Sequence, residues 1–338
     1  MSEAKYVGID LAKNVFQLHG ANALGKVEFR KRLMRDQLPQ FVAALSPCVI
    51  AMEACASAHD WARRFRAMGH EVRLISPQFV KPFVKGNKTD GNDAEGICDA
   101  VRQKNMRFVP IKTVEQQDIQ SLHRIRSRLV SNRTGLVCQM RGILLERGFT
   151  CGVSISRARR ELPKLIHDQS NVLTPMAREA LLELLAEFSV IEERIKIFDQ
   201  KIDQVFKASE VCQRVSAISG VGPKTSTAFV AAVSDARDFK NGRHFAAWLG
   251  LVPKQRSSGN KVHLLDISKR GDKYLRTLLV HGARAVLRTA ATKTTRFHQW
   301  ALEVALRRGA ARAIVAIANK MARMIWVLMA KGEIYKAA

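Results

Sequence analysis

The chain has 338 residues, 47% of them hydrophobic, which is enough apolar material to exclude global disorder. Lys and Arg number 56 against 30 Asp and Glu, a formal charge of +26 that attracts polyanions, nucleic acid being the commonest. No apolar run approaches the roughly 18 residues of a membrane-spanning helix, the six cysteines form no CxxC pair, and Met1–Tyr6 lacks a signal-like apolar core, so a cytoplasmic, nucleoid-associated protein with reduced thiols and no membrane partner is expected.

Residues 1–113 read as α/β. Tyr6–Asp10 is a short apolar strand ending in a carboxylate, and Val15–Gly20 and Lys26–Phe29 follow as two more strands. A helical stretch near Leu38–Leu45 leads to the strand Val49–Glu53, which also ends in a carboxylate. An amphipathic segment from Ala56 to Met68, a strand at Val72–Ile75 and a helix opening near Thr89-Asp90 complete the region. Three strands followed by alternating helices and strands is the order of the ribonuclease H-like fold.

Residues 114–210 read as long helices. Leu181, Leu184, Phe188, Ile191, Ile195, Phe198, Ile202 and Val205 recur in steps of three and four with no Gly or Pro among them. Sustained over about three and a half heptads, this predicts a coiled-coil seam that mediates self-association. An earlier helix carries Leu122, Ile125, Leu129, Leu136 and Ile143, interleaved with Arg124, Arg126, Arg128 and Arg133. That arginine face is either solvated or in contact with phosphates, Arg124 and Arg128 being the candidates for contact. The polar, basic stretch from Ser154 to Thr174 contains Pro163 and reads as a loop or linker. Residues 211–338 form a third, mainly helical unit. From Ala236 onward there are 21 Lys plus Arg and 5 Asp plus Glu, so more than half of the excess charge sits in under a third of the length. Ala310–Ala330, rich in Ala, Ile and Met at helical spacing, reads as a packed helix.

Four carboxylates stand where this topology converges. Asp10 ends the first strand, and Glu53 ends the fourth, which lies beside it. Asp90 and Asp93, in Lys88-Thr89-Asp90-Gly91-Asn92-Asp93-Ala94, are three apart at a helix start and face one way. Such a set holds hard divalent cations, and two Mg²⁺ ions about 4 Å apart serve phosphoryl transfer. Singly, each acid has a structural alternative: Asp90 and Asp93 as an N-cap and N3 pair, Asp10 closing a turn, Glu53 paired with an arginine. Together, in so basic a chain, they point to a metal site.

Val215 to Thr225 contains Gly220-Val221-Gly222-Pro223-Lys224, a helix-hairpin-helix-like turn. Gly220 and Gly222 open the backbone and Lys224 adds charge for a phosphate; the alternative is an ordinary helix connection. Farther on, Trp248 to Lys261 and Ile267 to Arg276 surround Ser258 in a Gly-flanked loop rich in cations. Lys254, Arg256, Lys261, Lys269, Arg270 and Arg276 are the candidates for binding phosphate there. A hydroxyl in that setting can attack a phosphodiester, although a Ser-Ser-Gly segment is more often a plain turn. Neither His244 nor His263 has a spacing that makes it a base.

Taken in order, these segments resemble the DEDD transposases of insertion-sequence family one hundred and ten. The resemblance rests on Gly8-Ile9-Asp10 with Ala12-Lys13, Met52-Glu53-Ala54, Lys88 to Ala94, Ile218 to Thr225, Gly250-Leu251-x-Pro253 leading to Ser258-Gly259, and Ser268-Lys269-x-Gly271 with Leu275-Arg276. It implies a RuvC-like domain with Asp10, Glu53, Asp90 and Asp93 on Mg²⁺, and a C-terminal transposase domain with Ser258 as nucleophile. It also implies a homo-oligomer, dimer or tetramer, in which carboxylates of one subunit meet the serine of another, and a bridge RNA that specifies the DNA partners. Two features depart from the pattern. Ser257 stands beside Ser258, and Ala54-Cys55-Ala56-Ser57-Ala58-His59 lacks the Thr-Gly-x-Tyr of many members. A junction resolvase or nuclease that cuts without rejoining shares the carboxylates and has no use for Ser258. An actin-like kinase also opens on Val7-Gly8-Ile9-Asp10, but Leu11-Ala12-Lys13-Asn14 supplies no Gly-rich phosphate loop. A non-catalytic binding protein explains the charge and leaves the carboxylates unused.

Overall fold

Val7 and Ile9 are completely buried on one face of a strand, and Gly8 between them presents bare backbone to the other. That strand, β1 (Tyr6–Asp10), is the third of six in a sheet; the computed structural model describes residues 4–87, 89–259 and 261–336. The chain forms two units, residues 1–114 and 115–338.

In the first unit, β2 (Val15–Ala21) and β3 (Val27–Met34) add antiparallel to β1. On the other side β4 (Val49–Glu53) and β5 (Glu71–Ile75) are parallel to it, and β6 (Phe108–Val109) closes the far edge antiparallel. The strand order is β3-β2-β1-β4-β5-β6. Parallel neighbours need crossovers, supplied by α1 (Gln37–Ala43) and α2 (Ala58–Ala67). Alternation in β4 separates the two faces. Ile50 and Met52 join a core with Trp61 and Phe65 of α2, whereas Val49 and Ala51 join one with Ile97, Ala100 and Val101. The latter three belong to α4 (Asp90–Val101), which follows the short α3 (Pro77–Val80). β3 runs five residues beyond the expected end at Phe29; it is an edge strand, and its exposed Arg30, Lys31 and Arg32 hide the apolar rhythm.

The second unit is helical apart from one hairpin. α5 (Val114–Leu145), α6 (Ile155–His167) and α7 (Pro175–Ala208) share one core. Helix α6 corrects the expected loop. Ser154 caps it by accepting from Arg157 N, and Ala158, Leu162 and Ile166, spaced by four, are buried despite Pro163. The heptad seam is real as a pattern, but Leu181, Phe188, Ile191 and Ile195 are buried against Leu129, Leu136, Met140 and Leu162 of this same chain. It is therefore already covered without a second copy.

α8 (Glu210–Ser216), α9 (Pro223–Ala232), α10 (Gly242–Trp248), α11 (Lys273–Thr289), α12 (Arg296–Arg308) and α13 (Ala310–Lys331) build the remaining core. Between α10 and α11 lies the hairpin of β7 (Pro253–Ser258) and β8 (Lys261–Ile267). Helix α13 corrects the reading of membrane-length segments: by length and composition its 22 residues suffice to cross a bilayer. Its apolar side, Ile317, Met321, Ile325 and Leu328, packs in the core of this unit, which accounts for the composition.

Gly8 sets how closely α4 approaches the sheet. A Cβ there would lie 2.6 Å from the backbone nitrogen of Cys98 and closer still to the carbonyl oxygen of Ala94. Gly8→Ala therefore forces α4 outward and should cost about 2 kcal/mol or more. Gly135→Ala, at an exposed site in α5 with open space for the methyl group, should gain up to about 1 kcal/mol. Chemical denaturation of the two full-length variants measures both.

Candidate metal centre and nucleic-acid interface

The β1–β4 register pairs Ile9 with Met52, so Asp10 and Glu53 are the next residues on adjacent parallel strands. Helix α4 begins over the same end of the sheet. Its N-cap is Thr89, whose hydroxyl accepts from Asn92 N at 3.3 Å, while the Asn92 side chain donates to Asn87 O at 2.8 Å. The cap and N3 positions thus belong to Thr89 and Asn92, and neither Asp90 nor Asp93 fills the capping role that would explain it structurally. Both sit in the first turn, where the helix dipole favours negative charge.

Among the described residues, Asp10, Asp90 and Asp93 each offer a carboxylate oxygen within 4.8 Å of the others. Asp10 and Asp93 are half-buried and Asp90 is exposed, so the cluster opens to solvent. Glu53 flanks this trio without belonging to it. Burial first, then the charges of Glu53 and Asp10, push the Cys55 thiol up, so the field of both acids reaches the turn after β4. In that turn Ser57 adopts a left-handed backbone, φ +68°. The donor set is all oxygen and anionic, which suits a hard divalent cation. Lys88 lies outside the described residues.

The basic candidates of the second unit divide by what they touch. In α5, Arg126 bonds Asp199 at 2.5 Å and Arg133 bonds Glu192 at 2.8 Å, both acids lying on α7. Arg124 and Arg128 are exposed and make no ion pair among the described residues. Lys224 follows the turn between α8 and α9, but its ammonium sits 3.0 Å from Asp199. Burial opposes ionisation of Asp199, yet hydrogen bonds from Arg126 and Lys224 hold its carboxyl below the usual range. Gly220, at φ +84°, packs backbone to backbone on Gly282 of α11, whereas a Cβ on Gly222 would meet open space. Gly220 is thus a packing glycine, and Gly222 leaves the start of α9 open. Arg276 donates to Leu249 O at 3.0 Å and Arg270 O at 3.3 Å, tying down the base of the hairpin.

Ser258 does not lie in a loop, as its Gly-flanked setting suggested. It ends β7, exposed, opposite Lys261. Cross-strand partners share a face and successive residues alternate. Ser258, Lys261, Arg256 and His263 therefore form one face of the hairpin. Ser257, Gln255, Val262 and Leu264 form the other, where Gln255 donates to Ser257 Oγ at 2.8 Å. Only Ser258 of the two serines shares a face with cations. His263 joins that face through a register that its sequence spacing does not reveal. Lys254, Lys269 and Arg270 are exposed around the base of the hairpin. Asn260 lies outside the described residues.

An oxygen-donor carboxylate cluster at the strand ends of an α/β sheet has the donors to hold a divalent cation, and the strongly basic chain suits a polyanionic substrate. The Transposase IS116/IS110/IS902 family matches residues 212–299, and the DEDD transposase family of IS110 type matches residues 7–148. A probable family 20 transposase of Pseudomonas aeruginosa is 47% identical over 335 residues, covering 98% of each chain. The transposase for insertion sequence element IS1111A of Coxiella burnetii is 46% identical, covering 99% of this chain and 92% of its own. That for IS1328 of Yersinia enterocolitica is 37% identical, covering 99% of each. The chain belongs to the IS116/IS110/IS902 family of insertion-sequence transposases, enzymes that act on DNA.

One buried group that sequence reasoning missed joins three helices of the second unit. His123 of α5 lies 3.0 Å from Thr227 Oγ1 of α9 and 2.9 Å from Tyr274 Oη of α11. Thr227 already donates to Pro223 O at 2.6 Å, so the imidazole donates from Nε2 and accepts from Tyr274 at Nδ1. Burial, then the charges of Arg126 and Lys224, pushes the His123 pKa down to about 4. A histidine whose pKa is depressed on folding binds fewer protons when native than when unfolded. Its contribution is thus complete above about pH 6.5 and is lost as pH falls toward 4, by up to about 3 kcal/mol. Thermal melting between pH 7.5 and 4 should show a steeper decline for the wild type than for His123→Gln; parallel curves would remove His123 as the cause.

Proposed function

We propose that this transposase cuts and rejoins DNA through a RuvC-like metal centre and a phosphoserine intermediate. Asp10, Glu53, Asp90 and Asp93 hold divalent ions, Mg²⁺ and two in number, and Ser258 is the nucleophile. The observation that carries this reading is the convergence of Asp10 with Asp90 and Asp93, on two elements, within 4.8 Å. The strand order, with three antiparallel strands extended by parallel ones, agrees with a RuvC-like sheet. Glu53, on the strand next to Asp10, completes the four-acid set.

The divalent ions, when bound, would neutralise charge on the scissile phosphate and lower the cost of forming the nucleophile. The Ser258 hydroxyl attacks phosphorus and its proton passes to a base. The bond from phosphorus to the leaving deoxyribose oxygen breaks, and that oxygen takes up a proton. The phosphodiester is thereby exchanged for a phosphoserine bond, which a second strand's hydroxyl reverses without ATP. Arg256 and Lys261, on the same hairpin face as Ser258, are placed to bind the phosphoryl oxygens. Lys254, Lys269, Arg270, Arg124, Arg128 and the backbone at Gly222 supply contacts to the nucleic-acid backbone. Lys224, Gly220 and Arg276 are better explained by their protein contacts. The basic surface suits a bridge RNA as well as DNA. A homo-oligomer, dimer or tetramer, is supported by the hairpin's apolar face, where Val262 and Leu264 are 63% and 65% exposed on a two-stranded ribbon.

Asp90→Ala combined with Asp93→Ala should lower cleavage of the element's own ends more than about a hundredfold, since metal ions supply several kcal/mol of transition-state stabilisation. Binding, which comes from distributed phosphate contacts, should change little. Near wild-type recombination by this double variant would misplace the metal site.

Ser258→Ala should abolish the covalent protein–DNA adduct and joining, while Ser257→Ala, altered on the opposite face, keeps both. Mass spectrometry of a trapped, digested complex reads the modified residue. A nucleotide on Ser257 would overturn the assignment, and metal-dependent cutting with no adduct on any serine would identify a resolvase-type nuclease instead.

A further inference from the structure

The register of the sheet carries the metal-site row outward to its edge. Asp10 of β1 pairs with Gln17 of β2, and Gln17 pairs with Arg32 of β3. Directly opposed residues share a face, so Asp10, Gln17 and Arg32 form one row across three strands. That face is the one covered by α4, because Gly8, two residues before Asp10, lies against Ala94 and Cys98. The next row inward, Gly8, His19 and Arg30, is closed by that helix: Arg30 bonds Glu95 at 2.8 Å and His19 is buried. The Asp10 row lies toward the start of α4, where Gln17 is half-buried and Arg32 is exposed.

The three consecutive cations of β3 thus have different fates. Arg30 is neutralised by Glu95. Lys31 points to the opposite face, where its ammonium stands over the Phe41 ring at 5.3 Å. The Arg32 side chain has no ion pair or hydrogen bond among the described residues, and it is the one that shares a row with a carboxylate of the cluster. An exposed, unpaired arginine at the end of a polar row leading from the carboxylate cluster is placed to meet an anionic partner that passes over both, and the DNA backbone is such a partner.

From this geometry we propose that Gln17 and Arg32 form a phosphate-binding track beside the metal centre. Arg32 grips a phosphate of the strand being cut, and Gln17 spans the gap by hydrogen bonding to sugar or phosphate. Two strand spacings are about 10 Å, and a DNA strand advances about 3.4 Å per nucleotide along its axis. The gripped phosphate is therefore about one to three nucleotides from the scissile one. Arg32 acts as a positioning residue, because a guanidinium fixes both the distance and the orientation of a phosphate. This inference rests on the metal-site reading above.

The test uses the full-length protein with Mg²⁺ and duplexes carrying the element's own end, in which single phosphates near the cut are replaced by neutral methylphosphonates. In the wild type, one position about one to three nucleotides from the cut should slow cleavage about tenfold, the worth of a charged hydrogen bond. Arg32→Gln should slow the unmodified duplex by a similar factor and lose all further sensitivity at that one position. Arg32→Lys should recover part of the rate, and melting of all variants should match the wild type because Arg32 is exposed. Undiminished sensitivity in Arg32→Gln, or a wild-type rate, overturns the track. If the wild type itself shows no metal-dependent cleavage, the metal-site reading fails and not the track alone.

Discussion

Three carboxylates held within 4.8 Å of one another repel, and the fold of the first unit is arranged to keep them there. The repulsion is overcome by packing elsewhere: α4 is pinned to the sheet by the missing side chain of Gly8 and by Ile97, Ala100 and Val101 in a core with Val49 and Ala51. Thr89 and Asn92 fix where the helix starts, which fixes where Asp90 and Asp93 stand above the end of β1. A divalent cation bound there, as proposed above, would relieve the repulsion, and the family to which the chain belongs acts on DNA.

The second unit solves a different problem, that of presenting an exposed hairpin on a firm base. Gly250 and Gly271 let the segments at 248–250 and 269–271 touch backbone to backbone, and Arg276 ties both ends together. The hairpin itself has no core. Its two faces are chemically unlike, one cationic with Ser258 and one apolar with Ser257. Among the helices of this unit, His123 links α5, α9 and α11 through neutral hydrogen bonds, and Asp199 pairs with both Arg126 and Lys224. Arg126 and Lys224 are thereby engaged within the protein, whereas Arg124, Arg128 and the cations of the hairpin face outward without an ion pair among the described residues.

Much of this was legible in the sequence, for physical reasons. An apolar strand that ends in an acid announces itself, so Asp10 and Glu53 could be placed on adjacent strand ends from pattern alone. The Thr-Asp-x-x-Asp helix start located the other two acids. Exposed ribbons carry no apolar rhythm, so the length of β3 and the strand character of Ser258 were hidden. Pro163 disguised α6, and only the spacing of Ala158, Leu162 and Ile166 betrays it. The heptad seam identified which residues of α7 are buried but not their partner, because a helix stripe packs equally well on its own chain. Contacts made by long charged side chains, such as Lys224 to Asp199, leave no sequence signal at all.

The central claim is that Asp10, Asp90 and Asp93 converge in order to hold a divalent cation. Anomalous diffraction from crystals of the protein soaked in Mn²⁺, a hard cation that scatters well, tests it without reference to activity. The account predicts a strong peak between these three carboxylates, with any second peak on the side of Glu53. Ordered Mn²⁺ elsewhere in the crystal, with the three carboxylates carrying none, would contradict it.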